Sequence, residues 1–407
     1  MYKNPHILLK IFFILILSVV LRLFSLKGID VKIFQYLELL LLGILLFLCI
    51  INTRKIRGLF SKNFSFIALF TFTASFPAYI FHGQSFFLSF FASRVILYIL
   101  IYRFLHIFNF KADFVLKVLF YIGWVWVVIM IIQNFTFPNV LFRIRDLDVE
   151  DTLIRARGEV LRLNIQGVRY GVFLLLSLVV FATNNLKKYA KIFYLVIIAF
   201  ALSLTGTRQI IFSVIFLTFL IFLNPNKGKI AKRGFFLLVI LPVLFLSSSY
   251  IYIYFEALIT KTNDDLNLDY IRLLEINFYV FEYWPKQNAF IAYIFGNGWE
   301  HGQSEYGQEI LINHQEYLHF FRGDIGILGA FNKFGILYII SVIALFYKFL
   351  KFKYTVNNIF IKYFFLFLVI TYFTGGNFLE NESVILLIAC CAFILDKSIK
   401  QKQQVLK

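Results

Sequence analysis

Charged residues make up only 15% of the 407-residue chain, and cysteine is rarer still, at three residues. So little charge, against 60% hydrophobic and 20% aromatic residues, excludes an ordinary soluble domain. No long soluble domain is left over. Cys49, Cys390 and Cys391 all fall inside apolar runs, where they act as small apolar residues and suggest neither a disulfide framework nor a Cys metal site. No H-E-x-x-H or HxxxH pattern occurs around His314 and His319, which argues against a zinc pair there.

What the chain does contain is apolar runs, each long enough to cross a hydrocarbon core of roughly 30 Å as a helix. Windows of this kind predict about twelve spans. They lie near residues 7–26, 33–51, 64–82, 85–105, 114–134, 166–183, 190–205, 209–224, 235–255, 325–347, 360–375 and 383–396. The expected fold is therefore an all-α polytopic membrane protein, a single integral domain over 1–407. Two larger loops emerge on one side, at 135–165 and 256–324, the second partly helical. The first span follows Lys3 and Lys10 but has no small-residue cleavage site behind it, so it reads as a retained anchor.

Basic loops set the orientation. "NTRKIRGLFSKN", "NNLKKYAK", "NPNKGKIAKRG", "KFLKFKYT" and the tail "DKSIKQKQQ" all fall on one face, which becomes the cytoplasmic one together with both termini. The net charge of +18 is then mainly a topology signal and an attraction to anionic lipid, and it does not call for a nucleic-acid partner.

Lysine dominates that face, whereas the outer loops favour arginine. The guanidinium fork binds phosphate bidentately and keeps its charge when partly buried, so an outward arginine cluster suggests an anionic ligand. The competing reading is local pairing: Asp146, Asp148, Glu150, Asp151 and Glu159 share a loop with Arg143, Arg145, Arg155, Arg157 and Arg162. Arg169 and Arg208 have no acid close by in sequence. Arg22, Arg94 and Arg103 lie near span ends or a few turns in, and Glu38 near the start of the second span, within snorkelling reach of headgroups.

In the second loop, Asp269, Arg272 and Glu275 are spaced to share one helix face. They form either a salt-bridged triplet or a pair of acids that aim Arg272 at a ligand. The glycines of "IFGNGWEHG" indicate a tight turn. His314 is either a general base, since imidazole titrates near neutral pH, or a histidine that ties the loop to the membrane surface. Glu316, Arg322 and Asp324 offer it a hydrogen-bonded network, while His301 and His319 add no signal of their own.

Together, "LTGTRQ" after a short span, "YIRLLE" opening the large outer loop, "FGNGW", and "NHQEYLHFFRGDIGILGAFNKFGILYI" leading into the next span resemble the O-antigen ligase and polymerase superfamily. The likeness covers roughly residues 160 to 345. It implies an enzyme of the bacterial inner membrane whose active site faces the periplasm, a metal-independent glycosyltransferase with no cofactor. Its donor would be a polyprenyl-diphosphate-linked glycan. Membrane lipid and a chain-length regulator would be its other partners.

The resemblance makes His314 the catalytic residue that activates the acceptor hydroxyl. Arg208, Arg272, Arg169 and Arg162 would bind the diphosphate, with Glu275, Asp269, Arg322 and Asp324 in support. "RGDIGILGAFNKFGIL" looks more like the polymerases, which transfer the growing glycan to another lipid-linked repeat unit. The ligases instead transfer it to lipid A-core. A flippase would keep its charges along a path through the spans and show related halves. Here the charges gather in two outer loops and no repeat is evident, which favours an enzyme.

Arg208→Lys retains the charge but loses the fork. The expected outcome is loss of most polymer-forming activity in a complementation assay, and near-normal activity in that variant would count against bidentate diphosphate binding.

Overall fold

The computed structural model describes residues 6–23, 26, 28–52, 56, 58–136, 139, 141–142, 168–181, 188–204, 213, 216–217, 271–355, 357–373 and 379–405. Among these residues the fold is helical, with one isolated bridge between Leu26 and Phe142 and no strand. Ten of the twelve expected spans coincide with helices, and the two near 209–224 and 235–255 lie outside the described residues apart from three isolated positions. Among the described residues five helices are long and apolar enough to cross a membrane: Lys32–Ile51, Ser61–His82, Phe86–Ile107, Ala112–Thr136 and Ile327–Lys351. Many of their large side chains remain exposed, among them Phe47, Ile80, Tyr121 and Ile340. Such faces suit hydrocarbon and not water.

The chain divides into two units. The first comprises Met1–Ile44, Phe108–Asp265 and Lys353–Phe367. Its helices approach closely through glycine. A Cβ on Gly123 would stand 2.7 Å from Leu175 Cβ, and one on Gly171 3.0 Å from Trp126, so both glycines permit backbone contact that any side chain would push apart. Arg22 and Glu38 pair at 2.9 Å, and this partnership takes the place of the separate snorkelling expected of each.

The second unit comprises Leu45–Ile107, Leu266–Phe352 and Leu368–Lys407, and it holds the candidate site. The Ser61–His82 and Ile327–Lys351 helices run antiparallel, since Phe60 stacks on Phe349 at 4.3 Å while Gly298 lies against Ala74 and Ala78 at the other end. Gly298 N–H in turn donates to Lys333 O near the start of the second helix.

Ile327–Lys351 is not continuous. Gly335 has φ 74° and ψ 179°, which breaks the ladder one third of the way along and frees carbonyls of the preceding turn. Two of them find donors in another segment: Asn297 N–H to Asn332 O and Gly298 N–H to Lys333 O, both at 2.8 Å. Glycine is required on both sides of this seam. A Cβ on Gly296 would meet Lys333 O at 2.1 Å, and one on Gly335 would meet Ile294 O at 2.2 Å. The glycines of "FGNGW" are therefore a seat for a broken helix, beyond the tight turn that their sequence suggested.

At the opposite end of this unit, buried Asp396 accepts from Leu59 N–H at 3.1 Å and from the Tyr102 hydroxyl, and its Oδ2 stands 3.2 Å from His106 Nε2. Lys348 Nζ donates to Leu59 O and Asn63 Oδ1 at 2.8 and 2.9 Å, closing the same turn. Removing one partner of a buried ionic network costs on the order of 3–5 kcal/mol, because the rest are left unpaired. Asp396→Ala is therefore expected to lower the thermal unfolding midpoint of the solubilised protein by several degrees, with Asp396→Asn losing less. An unchanged midpoint in both would deny the network its role.

Candidate functional site

The site forms where Ser61–His82 ends and Ile327–Lys351 begins. Its centre is Arg322, 3% exposed, at the start of the 3-10 turn Arg322–Ile325. Nη2 donates to Tyr306 Oη at 2.8 Å, and Nη1 reaches Gly298 O at 3.5 Å. The guanidinium lies over the rings of Tyr279, Tyr283 and Tyr306 at 5.4 to 5.6 Å. Three aromatic faces toward one cation compensate part of its lost hydration.

Burial disfavours the charge of Arg322. Tyr306, Glu300, Tyr283 and Tyr279 outweigh it and hold the group protonated. Glu300 Oε2 stands 3.6 Å from Arg322 Nη1, and Glu300 Oε1 3.9 Å from Lys333 Nζ, which also donates to Glu380 at 2.6 Å. Burial works against the Glu300 charge as well, but Lys333 and Arg322 keep the carboxyl below its usual range. The result is a row of alternating charge, Arg322, Glu300, Lys333 and Glu380, that sums to zero. A balanced row can orient groups but does not offer net positive charge to a diphosphate.

His314 sits beside Arg322 on the π-helical turn Ile310–Tyr317 and is 4% exposed. Tyr283 meets its ring edge-on at 4.5 Å, and Phe278 does so at 5.0 Å. Burial first, then repulsion by Arg322, lowers its pKa to about 4, so the imidazole is neutral at physiological pH. Tyr279 Oη lies 3.3 Å from Nδ1 and 3.2 Å from Phe320 O. A carbonyl can only accept, so the single phenol proton goes to Phe320. The phenol oxygen is then left to accept from Nδ1–H, and Nε2 becomes the unprotonated, basic nitrogen. Burial raises the Tyr279 pKa, which keeps that proton in place.

Gln84 holds the loop that brings Glu300. Its Nε2 donates to Trp299 O and Ser89 Oγ at 2.8 and 2.9 Å, and its Oε1 accepts from His301 N–H and Ser304 Oγ at 2.9 and 2.7 Å. All four hydrogen-bonding positions of a buried amide are used. Asn332 Nδ2 donates to Tyr279 O and Tyr283 O, fixing the turn with the two tyrosines. His82 stacks on Tyr306 at 4.0 Å, a second imidazole at the edge of the cluster. Tyr283 Oη, Asn332 Oδ1, Glu300 Oε2 and Arg322 Nε are buried and have no hydrogen-bond partner among the described residues, which leaves the cluster capacity for polar groups of a ligand.

Of the residues expected to act together, the structure joins His314 with Arg322, which is the hub and not an accessory. Glu275 is on the Ile271–Asn277 helix, buried, and its Oε1 accepts from Phe321 N–H at 2.8 Å, next to Arg322. Arg272, the middle of the expected triplet, also acts on this carboxylate through its charge, and the third member, Asp269, lies outside the described residues. Burial, opposed by the Phe321 hydrogen bond and assisted by Asp324, pushes Glu275 up to about 7. Asp324 is exposed on the 3-10 turn. Arg169 falls in the first turn of Val168–Phe181. Arg162, Arg208 and Asp269 lie outside the described residues.

Sequence reasoning missed Glu300, Lys333, Glu380, Gln84, His82 and the tyrosines. Lys333 carried a legible signal, an ionisable residue inside an apolar span. No protein-family model and no curated protein sequence matches the chain.

Two buried groups pull stability in opposite directions across one pH window. Glu275 binds its proton more tightly in the folded state, so its contribution is full below about pH 4.5 and lost as pH rises through about 7. His314 binds its proton less tightly, so its contribution is present above about pH 6.5 and lost as pH falls through about 4. Thermal unfolding against pH is expected to show Glu275→Gln gaining on the parent as pH rises from 4.5 to 7. His314→Gln should gain on it as pH falls from 6.5 to 4, and parallel profiles would contradict both assignments.

Proposed function

We propose that the protein is a polymerase of lipid-linked polysaccharide repeat units, O-antigen or capsule, acting at the periplasmic face of a bacterial inner membrane with both termini in the cytoplasm. The observation that carries this reading is the buried, neutral His314, oriented by Tyr279 and set beside a permanently charged Arg322. In it Nε2 takes the proton of a sugar hydroxyl as that oxygen attacks the anomeric carbon of the donor. The bond from that carbon to the diphosphate oxygen breaks, and the diphosphate leaves with the electron pair on its lipid. Arg322 and Glu300 position His314, since their row of charge is already balanced. Neutralising the leaving group falls to Arg208, Arg272, Arg169 and Arg162.

A transporter of the same lipid-linked unit is the second reading, supported by the Gly335 break and by Lys333, which pairs with Glu380 from inside a span. His314 favours the enzyme, because transport has no need of a general base.

The test is a gel of cell-surface lipopolysaccharide and lipid-linked glycan from the source strain with the gene deleted, then complemented with the parent or His314→Ala. Cores capped by a single repeat unit in both the deletion and the variant are expected. Bare cores with long polymer stranded on the carrier would make the protein a ligase. Full activity of His314→Ala would overturn the base role and leave the transporter.

A further inference from the structure

The depth at which "FGNGW" sits has a topological consequence independent of the reaction. The Ile327–Lys351 helix is membrane-length, and Gly335 is eight residues inside it. At about 1.5 Å per residue, the break lies on the order of 12 Å below the helix start. Gly296 packs against Lys333 and Phe334, and Ile294 O against Gly335, at that same depth. On the other side, Gly298 touches Ala74 and Ala78, which are eight and four residues before the end of Ser61–His82. The Ala289–Phe295 helix therefore descends beside the start of one span and delivers its C-terminal turn to the level of the break.

Its outward face matches that depth. Phe290 is 64% exposed and Tyr293 39%, while Ala292 is fully buried. A surface helix in water would place polar residues there. Higher up, Trp284 packs on Tyr293 at 4.4 Å and on Phe331 at 5.3 Å, four residues into the span. Tryptophan and tyrosine at this level match the interfacial belt of membrane proteins. The backbone left open where Ala289–Phe295 ends is satisfied by the broken helix, as irregular backbone at membrane depth must be.

We infer that residues 289–299 are a re-entrant segment that enters the bilayer from the side of the site, with Phe290 and Tyr293 in contact with lipid hydrocarbon. The segment expected as a loop in water is thus partly a wall between the Arg322 cluster and the lipid. A lipid-borne substrate meets this wall from within its own leaflet.

The experiment uses the full chain in vesicles of phosphatidylcholine and phosphatidylglycerol. Nitroxide labels are placed through Phe290→Cys, Tyr293→Cys and Gln303→Cys, with the parent as control for the three native cysteines. Collision rates with oxygen and with a water-soluble nickel chelate are compared. The oxygen-to-nickel ratio is expected to be several-fold higher at 290 and 293 than at the exposed, polar 303. Nickel access at 290 and 293 equal to that at 303 would overturn the inference. Low access to both reagents with spin–spin broadening would overturn it too, by placing a second copy on this face. Phe290→Trp, which keeps the bulk, provides an independent reading: quenching by brominated lipid is expected, and quenching by aqueous iodide instead would refute it.

Discussion

A backbone exchange carries the site. Gly335 interrupts a membrane-length helix, and two carbonyls that the helix can no longer use are taken up by the amides of Asn297 and Gly298. Unmet backbone groups at that depth would cost several kcal/mol each, so helix and loop are bound to one geometry. Everything charged in the cluster inherits its place from this seam. Lys333 points from the turn just before the break, Glu300 follows directly from Gly298 and Trp299, and Arg322 reaches Gly298 O from the turn that opens the helix.

Given that geometry, electrostatics settles the protonation states. Arg322 stays charged because tyrosines and Glu300 surround it, and its field with burial keeps His314 neutral. Glu275 sits one hydrogen bond from the Arg322 turn and is half-way to protonation near neutrality. The cluster therefore holds a fixed cation, a free base and a titratable acid within one buried volume. Such divergence of neighbouring groups is characteristic of functional sites.

The sequence made the helices legible because apolar runs report burial or lipid contact locally. It also singled out His314, Arg322 and Glu275, since polar residues are conspicuous in so apolar a chain. What escaped it depends on contacts between distant segments. Glu300 and Lys333 are joined to Arg322 only through the seam, and nothing in "AFNKFG" announces that Gly335 breaks a helix. Tyr279, Tyr283 and Tyr306 are three among 23 tyrosines until the fold places them round one guanidinium. The Asp269, Arg272 and Glu275 spacing put these charges on one helix face, but no spacing rule reveals that the backbone amide of Phe321 donates to Glu275. Gln84 lies more than 200 residues from the loop it holds.

Hydrogen–deuterium exchange of the peptide spanning 295–300, compared between the parent and Gly335→Ala in detergent or nanodiscs, tests the seam directly. The seam predicts strong protection of the Asn297 and Gly298 amides in the parent and its loss in the variant, where an added Cβ collides with Ile294 O and the Gly296 amide. Rapid exchange in the parent, or undiminished protection in the variant, would contradict the claim that the site is assembled on the broken helix.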